Sequence, residues 1–110
     1  MTDEEYTILY DRVDDAIAGL ISELPNDIQE DAKKIPCLLD AFSPIDNHPE
    51  ALGCCMQGLE NSPIFIYVEA IYAAEGGNVD GVCKSARQVY LHELGHALGL
   101  SEIEVRERGV

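Results

Sequence analysis

The residues with the clearest chemical potential are two histidines and a glutamate in the last quarter of the chain, His92, Glu93 and His96. Because one helical turn takes about 3.6 residues, a helix would place both imidazoles on one face, where they can share one metal ion. Glu93 would lie about 100° further round that helix, able to reach a water on the metal without being a ligand itself. This spacing predicts a zinc site with a general base beside it.

The residues that follow offer a third ligand. Gly99 stands three positions after His96, where a glycine in the left-handed conformation would end the helix and turn the chain. Glu102 stands three positions further on, so a sharp turn at Gly99 would bring its carboxylate back towards the metal. We predict that Glu102 completes the ligand set with the two histidines. Water would then hold the fourth position, the open site that catalysis requires.

Three alternatives remain open at this point. Ser101 and Glu104 suit the start of a further short helix, in which Glu102 would be only a first-turn acid that favours the helix dipole. Another residue could be the third ligand instead, such as Glu104 or Glu107, which are nearby in sequence. Cys54 or Cys55 is a further candidate, because thiolates bind zinc well and peptide deformylases pair a cysteine in a glycine-containing segment with a downstream HExxH. Finally, zinc could simply stabilise the fold of a short chain that is not an enzyme.

The motif resembles a known family, the small zincin-like metallopeptidases of bacteria. Their signature, H-E-[LI]-[AG]-H-x-x-G-[LI]-[ST]-[DE], is matched from His92 to Glu102, with glutamate where the family commonly has aspartate. Upstream pieces, Leu24-Pro25, Leu52-Gly53 and residues 63–67, are also similar. The likeness therefore covers most of the chain, although it is specific only over residues 88–102.

The resemblance implies a minimal zincin fold, in which the motif lies on an active-site helix beneath a small sheet. It also implies one zinc ion held by the two histidines and Glu102, and hydrolysis of a peptide or protein substrate. We expect zinc to activate the water, and Glu93 to take its proton and pass it to the leaving nitrogen. Tyr67, Tyr72 and His48 are candidates, by chemistry alone, for stabilising the oxyanion.

Apolar periodicity and capping residues predict the elements that position this site. Apolar residues recur at three- and four-residue steps from Tyr6 to Leu24, Thr2 and Glu5 suit a capping box, and Pro25 stops the helix. Further expectations are a short helix that is capped by Asn26 or Asp27 and runs towards Lys34, and strands over 37–42, 51–59 and 64–68, with a bend or a bulge at Gly53. The segment 69–74 is ambiguous, a break is expected at 76–78, and one long helix is expected over 79–98, capped by Asn78 or Asp80.

This order predicts an α+β fold with an N-terminal helix, a small mixed sheet and a C-terminal helix that carries HExxH. At 110 residues the chain is expected to be a single domain over 1–110. If the strand at 64–68 lies at the edge of the sheet, an extended peptide substrate can pair with it.

Composition limits the partners and the compartment. The net charge of −14 repels the phosphates of nucleic acids and anionic lipid heads, so neither nucleic acid nor membrane is expected as a partner. The first residues are acidic where a secretory signal would be basic, which favours the cytoplasm. The four cysteines form no C-x-x-C pair, which argues against a four-thiolate zinc site and favours free thiols. The substrate, its cleavage preference and the oligomeric state stay open.

Overall fold

The computed structural model describes residues 1–42, 51–56 and 61–99, and all structural statements below refer to them. Their elements, in chain order, are α1 (Asp3–Glu23), α2 (Asn26–Lys34), β1 (Cys37–Asp40), β2 (Gly53–Cys55), β3 (Ile64–Tyr67), α3 (Val68–Ala74) and α4 (Val79–Ala97). The predicted α+β class is confirmed. Three predictions lie outside the described residues: the short helix after Ser101, Glu102 as a ligand, and His48.

Helix α1 forms as the sequence predicts. The Thr2 hydroxyl accepts a hydrogen bond from the Glu5 N–H (3.1 Å), and the Thr2 N–H donates to the Glu5 carboxylate (3.2 Å). This capping box satisfies donors that the first turn of a helix otherwise leaves unpaired. One apolar stripe of the helix is buried, and its members are Leu9, Val13, Ile17 and Leu20.

The N-cap of helix α2 lies one residue before the first of its two predicted positions. Pro25 occupies the N-cap position and makes no side-chain capping bond. Its carbonyl accepts the first helical hydrogen bond, from the Gln29 N–H (2.8 Å). The prediction of Asn26 or Asp27 as the cap was therefore wrong. The backbone carbonyl of Pro25 alone can start this helix, because a proline carbonyl remains a full acceptor.

The three strands form a mixed sheet in the order β1-β3-β2. Strand β1 runs parallel to β3, and β2 runs antiparallel to it. Strand β3 is therefore central among the described strands, so the condition under which a substrate would pair with its edge is not met. Strand β2 is instead an outer strand of the described sheet, and it contacts α4.

Strand β1 ends at Asp40, two residues before its predicted end, because the next residue binds the start of helix α3 through its backbone carbonyl. The Ala41 carbonyl accepts hydrogen bonds from the Glu69 and Ala70 N–H groups at 3.1 Å each, at the start of α3. The Ala41 N–H donates to the Asp40 carboxylate (2.8 Å). The ambiguous segment 69–74 is thus helical, and Val68 and Ile71 are buried on its inner side.

The core lies where α1, α3 and α4 meet the sheet. Helix α4 packs against α1 and α3 and also against β2 and β3. Two ion pairs on the surface join α1 to α4: Arg12 with Asp80 and Arg87 with Glu23, both at 2.8 Å. Within the described part of the chain, no helix combines the length and apolar character needed to cross a membrane.

Candidate metal centre and adjoining cavity

Helix α4, which carries the motif, has defined ends. The Asn78 side chain accepts a hydrogen bond from the Gly81 N–H (3.3 Å), so Asn78, one of the two predicted caps, begins the helix. The helix ends at Ala97 and Leu98 is its C-cap. Gly99 follows with φ of +91°, the left-handed conformation predicted for it, and its N–H donates to the His96 carbonyl (2.9 Å). Gly99 therefore has the backbone conformation that the predicted turn uses.

The two histidines meet on one side of α4, as their spacing predicts. The Nε2 atoms of His92 and His96 are 3.3 Å apart. The ring centroids are 4.9 Å apart and the ring planes make an angle of 76°, so the rings approach edge to face. Both side chains are half-buried, on the last turns of the helix.

This separation suits two ligands of one tetrahedral zinc ion. With Zn–N bonds of about 2.0–2.1 Å and tetrahedral angles, two ligating nitrogens lie about 3.3–3.4 Å apart. A hydrogen bond between the rings, with one nitrogen as donor, would also bring the two atoms together. The described residues contain no group of three or more His, Cys, Asp or Glu side chains placed to hold a metal ion. The distance between the two histidines is thus compatible with a shared zinc ion, and the described residues supply no third ligand.

Strand β2 lies against α4 close to Glu93, and a glycine makes this contact between strand and helix possible. A Cβ placed on Gly53 would overlap the Val89 side chain on α4 and lie 3.1 Å from the Phe65 carbonyl oxygen. It would also lie 3.6 Å from Cγ of Glu93. The sequence suggested a bend or a bulge at Gly53. In the structure the residue lies within a paired strand, and its missing side chain lets β2 pack directly against α4.

The two cysteines of β2 lie near Glu93, but they form no metal-binding group with the two histidines. Burial raises the pKa of the Cys54 and Cys55 thiols, and the negative charge of Glu93 raises it further. The Cys54 thiol lies 3.7 Å from the Met56 sulfur, and the Cys55 thiol donates to the Ser62 carbonyl (3.6 Å). Across residues 1–42, 51–56 and 61–99 neither cysteine joins both histidines in a group that could hold a metal.

Two tyrosines considered for oxyanion stabilisation occupy different places. Tyr67 is 3% exposed at the end of β3 and interacts with the thiol of Cys54. The Tyr72 hydroxyl lies against Gly77, 3.2 Å from the position of a Cβ there, just before α4 begins. At a rise of about 1.5 Å per residue, the start of α4 is about 20 Å from His92, so Tyr72 is remote from the histidines.

A cavity of about 490 Å³ opens between β2 and α4, directly beside Glu93. Its lining consists of Leu52, Gly53, Ser85, Gln88, Val89, Leu91, His92 and Glu93. The helical side of this cavity has a partial signal in the sequence, because Ser85, Gln88 and His92 recur at steps that share one helix face. The strand side has no such signal, because which strand lies beside α4 depends on the order of the sheet.

Comparison with known proteins adds no relative: no family model matches the chain, and no curated protein matches it. The family resemblance therefore rests on the motif and stays a prediction.

Proposed function

We propose that this protein is a zinc-dependent metallopeptidase that hydrolyses peptide bonds in a peptide or protein substrate. The observation that carries the proposal is the 3.3 Å separation between the Nε2 atoms of His92 and His96, which equals the edge of a tetrahedral zinc site. His92, His96 and Glu102 hold one zinc ion in this proposal, and Glu93 is the general base.

The assignment of Glu102 is supported by the end of helix α4. Leu98 and Gly99 donate to carbonyls of the last turn, and the left-handed φ of Gly99 turns the chain immediately after it. A carboxylate that follows such a turn by three residues is well placed in sequence to reach the histidine pair. The absence of Cys54 and Cys55 from any described ligand group also favours Glu102 over a cysteine.

The residues divide the reaction between them. Bound zinc would supply a Lewis acid that polarises the substrate carbonyl and lowers the pKa of water to about 7. In this proposal Glu93, which follows His92 on the helix and lies against β2, accepts the proton of the attacking water with its carboxylate. The same carboxylate then delivers that proton to the leaving nitrogen.

Strand β2 replaces β3 as the strand that can align a substrate. Among the described strands β2 pairs with β3 alone, and it is the strand that borders Glu93. An extended peptide that added to the other side of β2 would run past Glu93 with its backbone held by main-chain hydrogen bonds.

The decisive test is replacement of Glu93 by Gln, which keeps the shape of the side chain and removes its basicity. We expect zinc content to stay at one ion per chain and the rate of peptide cleavage to fall by about 100-fold or more. Glu4→Gln is the matched control, because Glu4 is exposed on α1 and the chemical change is the same. Retained turnover in Glu93→Gln, with zinc bound, would refute the role of Glu93.

Metal analysis separates the competing interpretations. We expect His92→Ala, His96→Ala and Glu102→Ala each to weaken zinc binding, and the double variant Cys54→Ala/Cys55→Ala to retain it. A deformylase-like site predicts the opposite result for the cysteine and Glu102 variants. Zinc that raises the melting temperature without any cleavage of a peptide mixture would indicate a non-enzymatic zinc domain. A purified protein with no zinc and no affinity for it would overturn the proposal.

A further inference from the structure

We propose that the cavity between β2 and α4 binds a substrate side chain adjacent to the cleaved bond, and that Gln88 makes it select an uncharged side chain. This inference rests on the proposed peptidase function. His92 and Glu93 belong both to the cavity wall and to the candidate metal centre. A group bound in the cavity therefore lies next to the bond on which Glu93 would act.

The size and shape of the cavity suit a side chain. Its volume of about 490 Å³ lies within the range of about 300–1,000 Å³ that is usual for binding pockets. One side is formed by Leu52 and by Gly53, the first residue of β2, and the other side by α4. Since successive side chains of an extended peptide point to opposite sides, a peptide paired with β2 can direct one of them towards α4.

The chemistry of the lining favours an uncharged group. Leu52, Val89 and Leu91 provide apolar surface, while Ser85 and Gln88 provide hydroxyl and amide groups that both donate and accept hydrogen bonds. Apart from the two residues of the candidate centre, no residue of the described lining is charged. A charged substrate side chain would lose hydration here, and in the described lining it could pair only with a residue of the candidate centre itself.

The nearest cations of α4 do not change this conclusion. Arg87 pairs with Glu23 of α1 at 2.8 Å, and neither Arg87 nor the exposed Lys84 lines the cavity. Glu93 carries the one carboxylate of the described lining, and it must be ionised to accept a proton from the attacking water, so a cationic side chain paired with it would hinder cleavage. We therefore expect a side chain with an apolar stem and a neutral polar end, such as glutamine, to be preferred over its near-isosteric glutamate and over lysine.

The test uses the zinc-loaded full chain and a peptide mixture of defined composition. Cleavage sites are identified by mass spectrometry for the unmodified protein and for Gln88→Glu, Gln88→Lys and Lys84→Gln. The Lys84→Gln control lowers the net charge by one, as Gln88→Glu does, but lies outside the cavity lining. Circular dichroism verifies that each variant is folded; we expect this because Gln88 and Lys84 are exposed.

We expect the unmodified protein and Lys84→Gln to cleave beside uncharged side chains at one position of the substrate. Gln88→Glu should shift that position towards lysine and arginine, and Gln88→Lys towards aspartate and glutamate, by about 10-fold or more in relative kcat/KM. Equal cleavage of glutamine, glutamate and lysine peptides, or unchanged sites in both Gln88 variants, would overturn this inference and leave the peptidase function standing. Absence of cleavage by the unmodified protein would overturn both.

Discussion

Replacement of Gly53 by alanine tests whether the contact between β2 and α4 is as close as the structure indicates. The added Cβ would overlap the Val89 side chain and lie 3.1 Å from the Phe65 carbonyl oxygen. The second atom is backbone and belongs to the strand paired with β2, so it cannot move aside without loss of pairing. We expect strand and helix to separate slightly, which also displaces Glu93.

The expected loss of stability can be bounded. Overpacking a well-packed contact by one methyl group costs about 1–3 kcal/mol. Alanine also lowers the conformational entropy of the unfolded chain relative to glycine, which stabilises the folded state by about 0.4–1 kcal/mol. The difference between the two ranges is about 0–2.6 kcal/mol, and because the added Cβ overlaps Val89 we expect a net loss of about 1–2 kcal/mol within it. This corresponds to a fall in melting temperature of about 4–10 °C for a domain of this size.

The assay is urea denaturation of a double-mutant cycle with Val89→Ala. Val89→Ala alone removes two partly buried methyl groups and should cost about 1.5 kcal/mol. In the Gly53→Ala/Val89→Ala double variant the overlap with Val89 is gone, so the combined loss should be smaller than the sum by about 1 kcal/mol. Recovery should be partial, because the contact with the Phe65 carbonyl remains.

Gly19→Ala is the matched control. Gly19 lies within α1, and a Cβ there meets nothing within 4 Å. Alanine is favoured over glycine inside a helix by about 0.5–1 kcal/mol, so the same substitution should stabilise the protein at this position. The reasoning would be refuted by a Gly53→Ala variant as stable as the unmodified protein, or by losses that simply add in the cycle.

Two further predictions concern the buried core. The Tyr90 hydroxyl is buried without a hydrogen-bond partner among the described residues. Tyr90→Phe should therefore leave the free energy of unfolding unchanged or raise it by up to about 1 kcal/mol. A clear loss of stability in urea denaturation would mean that the hydroxyl has a partner. Burial, with a smaller effect from the charge of Asp14, raises the pKa of Cys37 from 9.0 to about 11. The pKa of Cys37 is thus higher in the folded state than in the unfolded state. The protonated thiol therefore contributes its full share of the folding stability below about pH 9, and this contribution is lost as the pH rises through 11. Between pH 8 and 10 the unmodified protein should therefore lose about 1 kcal/mol more stability than Cys37→Ala. Cys83→Ala is the control. If the free energy of unfolding changes equally with pH in all three proteins, the assignment to Cys37 is contradicted.

The sequence determined those features that depend on residues a few positions apart. The capping box of Thr2 and Glu5 fixes the start of α1, and Asn78 fixes the start of α4. The meeting of His92 and His96 follows from helical geometry once α4 exists, and the turn at Gly99 follows from the freedom of glycine at positive φ. Such features could be predicted because neighbouring residues alone set their energetics.

Only the tertiary structure decided what surrounds the histidine pair. Strand propensity located β2 and β3 but did not order them, because that order depends on which apolar faces pack together across the whole chain. The contact of Gly53 with α4, the distance of Tyr72 from the site and the cavity lined by Gln88 all follow from that packing. The sequence thus determined the candidate chemistry, while the fold determined which strand and which pocket stand beside it, because long-range burial has no counterpart in local spacing.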